Sequence, residues 1–306
     1  MKKFVLIISL IFCIFGMGCG KESTEPQTEF MKHSRSFPTG EVWLDLIFAS
    51  NEEDVTNWSM DFIDHVEMRI ENENFPLEIE SLQIEERARY GKYYQGTIIV
   101  EGILDKGMSG KAYLQVYFKD KEGYSEYEIG QIAVIDKANS THDIITYALA
   151  GGVVEEDHSG KIRTYGVIVH WKVAEEIIVT SLDFGFDNLG VSSDDYIIYT
   201  PQQYQSGIKS AIENDKFDKY VNDAYETHMV SEINKSVDIT LTEGEYYIYF
   251  PIEVCGEDIP ELDQGALKIK YQTKSGKTGI LVTNSWPYFS NLRISEEELI
   301  EMFQVK

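Results

Sequence analysis

Three kinds of side chain in this 306-residue sequence are spaced so that chemistry could be built from them. The first is carboxylate. Asp183, Asp187, Asn188, Asp194 and Asp195 fall in one stretch, and Glu257, Asp258, Glu261 and Asp263 in another. Acidic loops can supply the roughly six to eight oxygens that calcium takes, although neither stretch follows the EF-hand pattern. Calcium held by the first stretch is one expectation, and plain solvated loops are the other. The second kind is tyrosine. If Ala112, Leu114, Val116 and Phe118 face a core, Tyr113 and Tyr117 face outward from the same strand, with Tyr124 and Tyr127 on the next hairpin arm. Such a patch suits stacking on a sugar ring or contact with a protein. The same rings stacking on one another across strands would stabilise a sheet with no ligand at all.

The third kind is histidine. None of His33, His65, His142, His158, His170 and His228 stands in a metal-ligand spacing such as His-Glu-x-x-His. His170 lies beside Trp171 in an expected strand and reads as an ordinary strand residue. There is no Gly-x-Ser-x-Gly elbow for a nucleophile and no glycine-rich phosphate loop. A hydrolase would need two carboxyls facing each other across a cleft, which spacing alone does not arrange. The chemistry expected here is binding, with no catalytic residue and no cofactor beyond the calcium just named.

The elements that carry these residues start with an address. Lys2 and Lys3 precede an apolar run from Phe4 to Phe15, broken by Ser9, and Gly16-Met17-Gly18-Cys19 follows. That is the charged, apolar, small-residue order of an export signal. The run is shorter than the ~20 residues that a membrane-spanning helix needs. A small residue before a cysteine at this point resembles the lipobox of bacterial lipoproteins, although Gly16 stands where such boxes usually carry leucine. The resemblance implies cleavage after Gly18 and a lipid on Cys19, with the membrane as first partner. The polar stretch from Lys21 to Thr28 then reads as a tether. If Cys19 is lipidated and Cys13 is lost with the signal, Cys255 is alone. It follows Ile252 and Val254 and reads as a small core residue.

The net charge is -25, and 43% of the residues are apolar. A field of that sign disfavours nucleic acid and suits cations or basic partners. The body reads as β-rich. Val42, Leu44, Leu46 and Phe48 alternate with the period of a strand that has one face on a core. Ile98 to Val100, Ala112 to Phe118, Ile129 to Ile135, Ile144 to Leu149, Val167 to Val173, Ile177 to Thr180, Tyr246 to Val254 and Leu267 to Tyr271 read likewise. Lys121-Glu122-Gly123, Lys274-Ser275-Gly276, Asp187-Asn188 and Gly151-Gly152 read as turns.

Three short marks recur in order. Ser59-Met60-Asp61-Phe62 returns as Ser181-Leu182-Asp183-Phe184, Gly91-Lys92-Tyr93-Tyr94 as Gly244-Glu245-Tyr246-Tyr247, and Gly110 to Leu114 as Gly265 to Ile269. This order predicts a duplicated domain. The wider gap between the first two marks in the second copy predicts an insertion. Thr200-Pro201-Gln202-Gln203 opens it as a helix start. Apolar stripes through Ile208, Ala211 and Ile212, and through Phe217, Tyr220, Val221, Ala224, Tyr225 and Met229, continue it. Ser295 to Glu298 is a capping box ahead of a C-terminal helix.

The expected architecture is mainly β: two tandem sandwiches, the second with a helical insertion, plus a short C-terminal helix. It places a signal over 1–18, a lipid-anchored tether over 19–36 and sandwiches over 37–137 and 161–294. A joint spans 138–160, the insertion 201–233 and the last helix 295–306. The pattern resembles the immunoglobulin-like or fibronectin-III-like modules of bacterial surface lipoproteins, without the Cys-Trp-Cys signature of immunoglobulin domains proper. It implies an extracytoplasmic, envelope-anchored protein that binds a protein or glycan without catalysis. Two other readings are an accessory subunit of an envelope complex docking through the insertion, and a hydrolase with a carboxylate pair.

Overall fold

A computed structural model describes residues 27–90, 93–138, 140–141, 143–156, 162–208, 228–257, 259–287, 294 and 302–303. The N-terminal part holds β1 (Thr28–Phe30), β2 (His33–Pro38), β3 (Gly40–Asn51), β4 (Ile63–Ile70), β5 (Glu73–Tyr90), β6 (Tyr93–Leu104), β7 (Met108–Phe118) and β8 (Ser125–Ile135). Leu44, Leu46 and Phe48 are buried at alternate positions of β3, as their period requires. They meet Met68, Ile98, Val100, Leu114 and Val116 in one core. Trp58 stands among Phe30, Phe48, Phe118 and Tyr127 in that core, with Phe48 at 4.4 Å between ring centres.

The strand order is that of an immunoglobulin-type Greek key. β1, β3, β6 and the C-terminal part of β5 make one sheet. The start of β5, with β4, β7 and β8, makes the other, and β2 joins β8 in parallel. β5 crosses between the sheets. β1 and β2 do the same, with Thr28 to Phe30 on β3 and His33 to Pro38 on β8. The tether expected over 19–36 therefore gives way to strand at Thr28. Ser34, Arg35 and Ser36 are buried, because each lies between two parallel neighbours.

The C-terminal part holds β9 (Ile145–Glu156), β10 (Ile162–Val173), β11 (Ile177–Asp183), β12 (Leu189–Val191), β13 (Ile197–Tyr199), β14 (His228–Met229), β15 (Ser236–Leu241), β16 (Gly244–Val254), β17 (Glu261–Gly265), β18 (Lys268–Thr273), β19 (Thr278–Val282) and β20 (Trp286–Pro287). One sheet runs β12-β16-β10-β9 and the other β15-β11-β18-β19, and β13 and β14 also pair with β16. Their inner faces enclose a second core around Trp171, Phe184, Phe186 and Phe250. Gly151 and Gly152, expected in a turn, lie inside β9 opposite Ile168 and Val167.

Two of the three repeated marks fall on comparable strands but not at matching positions. Gly91 and Lys92 of the second lie outside the described residues, Tyr93 opens β6 against β3, and its counterpart Tyr246 is the third residue of β16 against β10; Gly110 of the third lies inside β7, whereas Gly265 ends β17 just ahead of β18. The first mark is not equivalent. Ser59 to Phe62 is a turn before β4 with Phe62 half exposed, whereas Ser181 to Phe184 ends β11 with Leu182 and Phe184 buried. The insertion is correspondingly longer than expected. β4 and β5 are joined by Glu71 and Asn72 alone, while residues 184–235 separate β11 from β15. Thr200 caps a single helical turn, Pro201–Gln203, through the predicted capping box, and a π-turn, Tyr204–Ile208, follows. The remaining stripes up to Tyr225 lie outside the described residues. Among the described residues no helix is long and apolar enough to cross a membrane.

The two sandwiches share a strand register. β17 adds to β2 in parallel, so the sheet of the first sandwich continues through β2 into β17 and β20. Arg35 Nε donates to Asp263 Oδ2 at 2.7 Å across that pairing. The Arg35 guanidinium also donates to the backbone oxygens of Ile129 and Asp45 and reaches His33 Nδ1 at 2.9 Å. Ser34 Oγ donates to Pro260 O, Ser36 Oγ to Ala266 O, and Ala266 N to Ser36 Oγ. Ala133 of β8 is part of the second core.

The C-terminal segment returns to the first sandwich. Ile47 and Ala49 point away from the core of β3, yet both are buried, because Ile294 packs on them with Met302 and Phe303. Ile294 N donates to the buried Gln95 Oε1, and Phe303 stacks on Tyr93 at 3.9 Å. Of the helix expected over 295–306, Met302 and Phe303 are the described residues, and both are helical.

Candidate functional site

The outer face of β4, β7 and β8 gathers most of the tyrosines singled out by sequence. The register puts His65 opposite Tyr117, Glu67 opposite Gln115 and Arg69 opposite Tyr113. Their partners at alternate positions, Val66, Met68, Leu114 and Val116, fill the core, so this second set must face out. His65 stacks on Tyr117 with ring centres 4.0 Å apart, and Tyr124 lies 5.4 Å from Tyr117 at a tilt. The Tyr113 ring is covered by the Arg69 guanidinium at 4.2 Å.

Tyr127 is the exception. It pairs with Leu114 and turns inward, against Phe30 and Trp58. Burial pushes its hydroxyl up to about 12. The physical reason is the hairpin register, which sets Tyr127 opposite the core residue Leu114 and two positions before the buried Ile129.

The polar side chains of this face hold one another. Arg69 binds Glu126 through Nε at 2.9 Å and Nη2 at 3.0 Å, a two-pronged pair. Gln115 Nε2 also donates to Glu126, and Asn74 donates to Glu67 and to Gln115. The Arg69 hydrogen bond holds the Glu126 carboxyl below its ordinary 4.5, while desolvation and Glu67 raise the Tyr117 hydroxyl. A carboxyl lowered by folding stabilises above its unfolded value and stops doing so as pH falls through its folded one. Glu126→Gln should therefore lower the melting temperature at pH 7, with the deficit shrinking as pH drops below about 4.5. Paired melts across that range check this, and a deficit that grows on acidification would contradict it. The effect is small, since both partners are part-exposed.

Three large apolar side chains are exposed at the end of this face nearest Tyr117. Met60 is 50% exposed, Phe62 48% and Tyr124 51%. The turn that carries Met60 and Phe62 is tied to β7: Lys119 N donates to Phe62 O at 2.9 Å, and Lys119 Nζ donates to Asp61 O and Met60 O. Sequence reading missed Met60, Phe62, His65 and Arg69 because β4 was not seen as a strand. The irregularity between Ile63 and His65 interrupts its alternation. Asp64-His65, Glu67 and Arg69 between buried Val66, Met68 and Ile70 was the available signal.

The first acidic stretch does not converge on a point. Asp183 and Asp187 share the ammonium of Lys235, at 3.1 and 3.3 Å. Asp183 Oδ1 also accepts from Gly185 N, and Asn188 Nδ2 donates to Gln131 of the first sandwich. Asp194 is exposed, and Asp195 is tied through its N–H to Ser192. Among the described residues no group of three His, Cys, Asp or Glu could hold a metal ion. Of the second stretch, Asp263 is the buried partner of Arg35, and Glu261 Oε2 accepts from Thr164 N.

A second ring cluster stands on the other sandwich. Tyr247 is sandwiched between His170 at 4.1 Å and Tyr204 at 3.9 Å, and His170 Nε2 is 2.7 Å from Glu245 Oε1. Tyr204 belongs to the insertion, so this stack fastens the start of the insertion to β16. Cys255 is part-exposed rather than in the core, with Sγ 3.2 Å from Ser231 O. Cys19 lies outside the described residues.

No family model matches the sequence. No curated protein matches it. Solved structures similar to it include the C-terminal domain of the Streptococcus agalactiae AgI/II polypeptide BspA, at 8% identity and a TM-score of 0.19, over 85% of this chain and 100% of that one. A membrane-anchored protein of Corynebacterium diphtheriae aligns at 11% identity and a TM-score of 0.23, over 88% and 60%. The D00-D0 domain of intimin aligns at 10% and 0.18, over 87% and 100%. With TM-scores this low, the fold assignment rests on the strand registers above.

Proposed function

We propose that this chain is an exported, envelope-anchored binding protein that engages a partner without catalysis, through the outer face of β4, β7 and β8. The export-type N-terminus and the lipobox resemblance at Cys19 support the address. One observation carries the binding role. Met60, Phe62 and Tyr124 are half exposed beside the His65–Tyr117 stack, on a sheet whose polar groups are already fixed. Exposed apolar side chains at one end of a sheet mark interaction sites, and Tyr, Phe and Met are the residue types that interfaces favour.

The test is binding to immobilised panels of envelope and host proteins and glycans. Phe62→Ala with Tyr124→Ala should weaken the captured interaction at least about tenfold, since exposed aromatic anchors dominate such contacts. The melt should not move. Binding that survives the pair removes this face from consideration. A second reading, docking through residues 184–235, is supported by Met229 at 64% exposure and by Ile197 and Ile198 at 38% each. It predicts that the Phe62 and Tyr124 pair has no effect.

A further inference from the structure

We infer that the occupant of this face is a basic polypeptide segment, with Lys or Arg side chains laid on the Phe62, Tyr117 and Tyr124 rings and paired with Asp61, Asp120 and Glu122. The inference rests on the binding role proposed above and adds the chemistry of the partner.

Three observations on the face select that chemistry. The first is saturation. A glycan is held by planar polar side chains that offer free donors and acceptors beside a ring. Here Arg69, Glu126, Gln115, Asn74 and Glu67 spend theirs on one another. The stacked His65 covers one face of Tyr117.

The second is the sign of the uncommitted charge. Asp61, Asp120 and Glu122 are exposed around the patch and pair with no base among the described residues. Two lysines stand in the same loops: Lys119 donates to backbone oxygens of the turn, and Lys121 lies over the Phe118 ring at 4.5 Å. Three carboxylates against these two ammoniums leave the loops net negative, the sign that attracts a cation. The third is the pairing of rings with acids. Aromatic faces attract Lys and Arg head groups, and their aliphatic stems cover Met and Phe side chains. The whole chain, at -25, steers a positive segment toward it.

The probe is a synthetic Lys/Leu peptide of a dozen or so residues, with a Glu/Leu counterpart and an oligosaccharide panel, titrated against the full chain by fluorescence anisotropy at several salt concentrations. Three variants accompany it. The first is Phe62→Ala with Tyr124→Ala. The second is Asp61→Asn, Asp120→Asn and Glu122→Gln together. The third is a control that neutralises the same number of exposed acids on the other sandwich, Glu175→Gln, Asp238→Asn and Glu243→Gln.

The expected result is binding of the Lys/Leu peptide alone, weakening as salt rises. Each of the first two variants should lower affinity about tenfold, with the acid variant also flattening the salt slope. The control should leave both unchanged, which separates a site from general attraction to an acidic protein.

Equal binding of the Glu/Leu peptide, or equal losses in the control, would overturn the inference. Oligosaccharide binding lost in the Phe62 and Tyr124 pair would keep the binding face and discard the basic occupant. Binding that is indifferent to both face variants would discard the face as well. Melts of all three variants are read alongside; exposed positions should shift them little, so a lost affinity reports contact rather than unfolding.

Discussion

Asp263→Ala should lower the free energy of unfolding by about 3–5 kcal/mol, the loss typical of a buried ion pair broken from one side. Arg35 is 1% exposed and Asp263 8%, so the substitution leaves a guanidinium without its directly bonded counter-charge and with no route to water. The bonds from Arg35 to the backbone oxygens of Ile129 and Asp45 do not replace it, because carbonyls carry no net charge. Asp45 is the instructive contrast. Burial, then repulsion from Asp263, raises its carboxyl above the ordinary 3.8, against a smaller opposing pull from Arg35.

A carboxyl raised by folding is a burden when ionised, and that burden is relieved as pH falls through its folded value. Asp45→Asn should therefore be neutral or stabilising at pH 7, although it removes an acid beside the same arginine. Arg35→Met with Asp263→Leu should recover most of what Asp263→Ala loses, as apolar replacements of whole buried pairs do. Urea titrations of the four proteins test this. Asp263→Ala and Asp45→Asn moving the midpoint equally would show that the two acids do the same thing.

Gly130→Ala is the second large effect, expected to cost about 3 kcal/mol or more through strain and clash together. The backbone there has φ +111, and a Cβ would lie 2.1 Å from His33 O and 2.5 Å from His33 N. Those are main-chain atoms of β2, held in register on both sides, so they cannot swing aside. Gly123 is the control. Its φ is +79 in the hairpin before β8, with nothing within 4 Å of a Cβ, so alanine there carries only the conformational penalty, about 1 kcal/mol. Hydrogen exchange should report the difference locally, with β2 amides losing protection in Gly130→Ala and keeping it in Gly123→Ala.

Much of the fold was legible in the sequence where one face is apolar and the other polar. Val42 to Phe48, Ala112 to Phe118 and Tyr246 to Val254 are strands at the expected places, and the Gly123 and Gly276 turns join the expected pairs. β5 was not legible, because Glu73 to Tyr90 leaves one sheet for the other and its pattern changes face on the way. β17 was read as an acidic loop. Its burial comes from β2, more than 200 positions earlier, and nothing in Glu261-Leu262-Asp263 announces a buried arginine there.

The outward tyrosines on β7 were legible from alternation alone. Tyr127 faces inward by the same alternation, opposite Leu114 and two positions before the buried Ile129, a period that grouping it with Tyr124 passed over. The exposed turn at Met60 to Phe62 was masked by its chance likeness to Ser181 to Phe184, which matched letters but not a place in the fold.

The return of the C-terminal segment has a consequence for timing. A chain synthesised N-terminus first delivers β1 to β8 well before the residues that complete them. The edge of β2 waits for Glu261 to Gly265, and the outer face of β3 waits for Ile294 and Phe303. The first sandwich to emerge is thus the last to be finished. Until the final stretch arrives it presents an open edge and the bare side chains of Ile47 and Ala49, the surface through which unfinished β proteins aggregate or are held by chaperones.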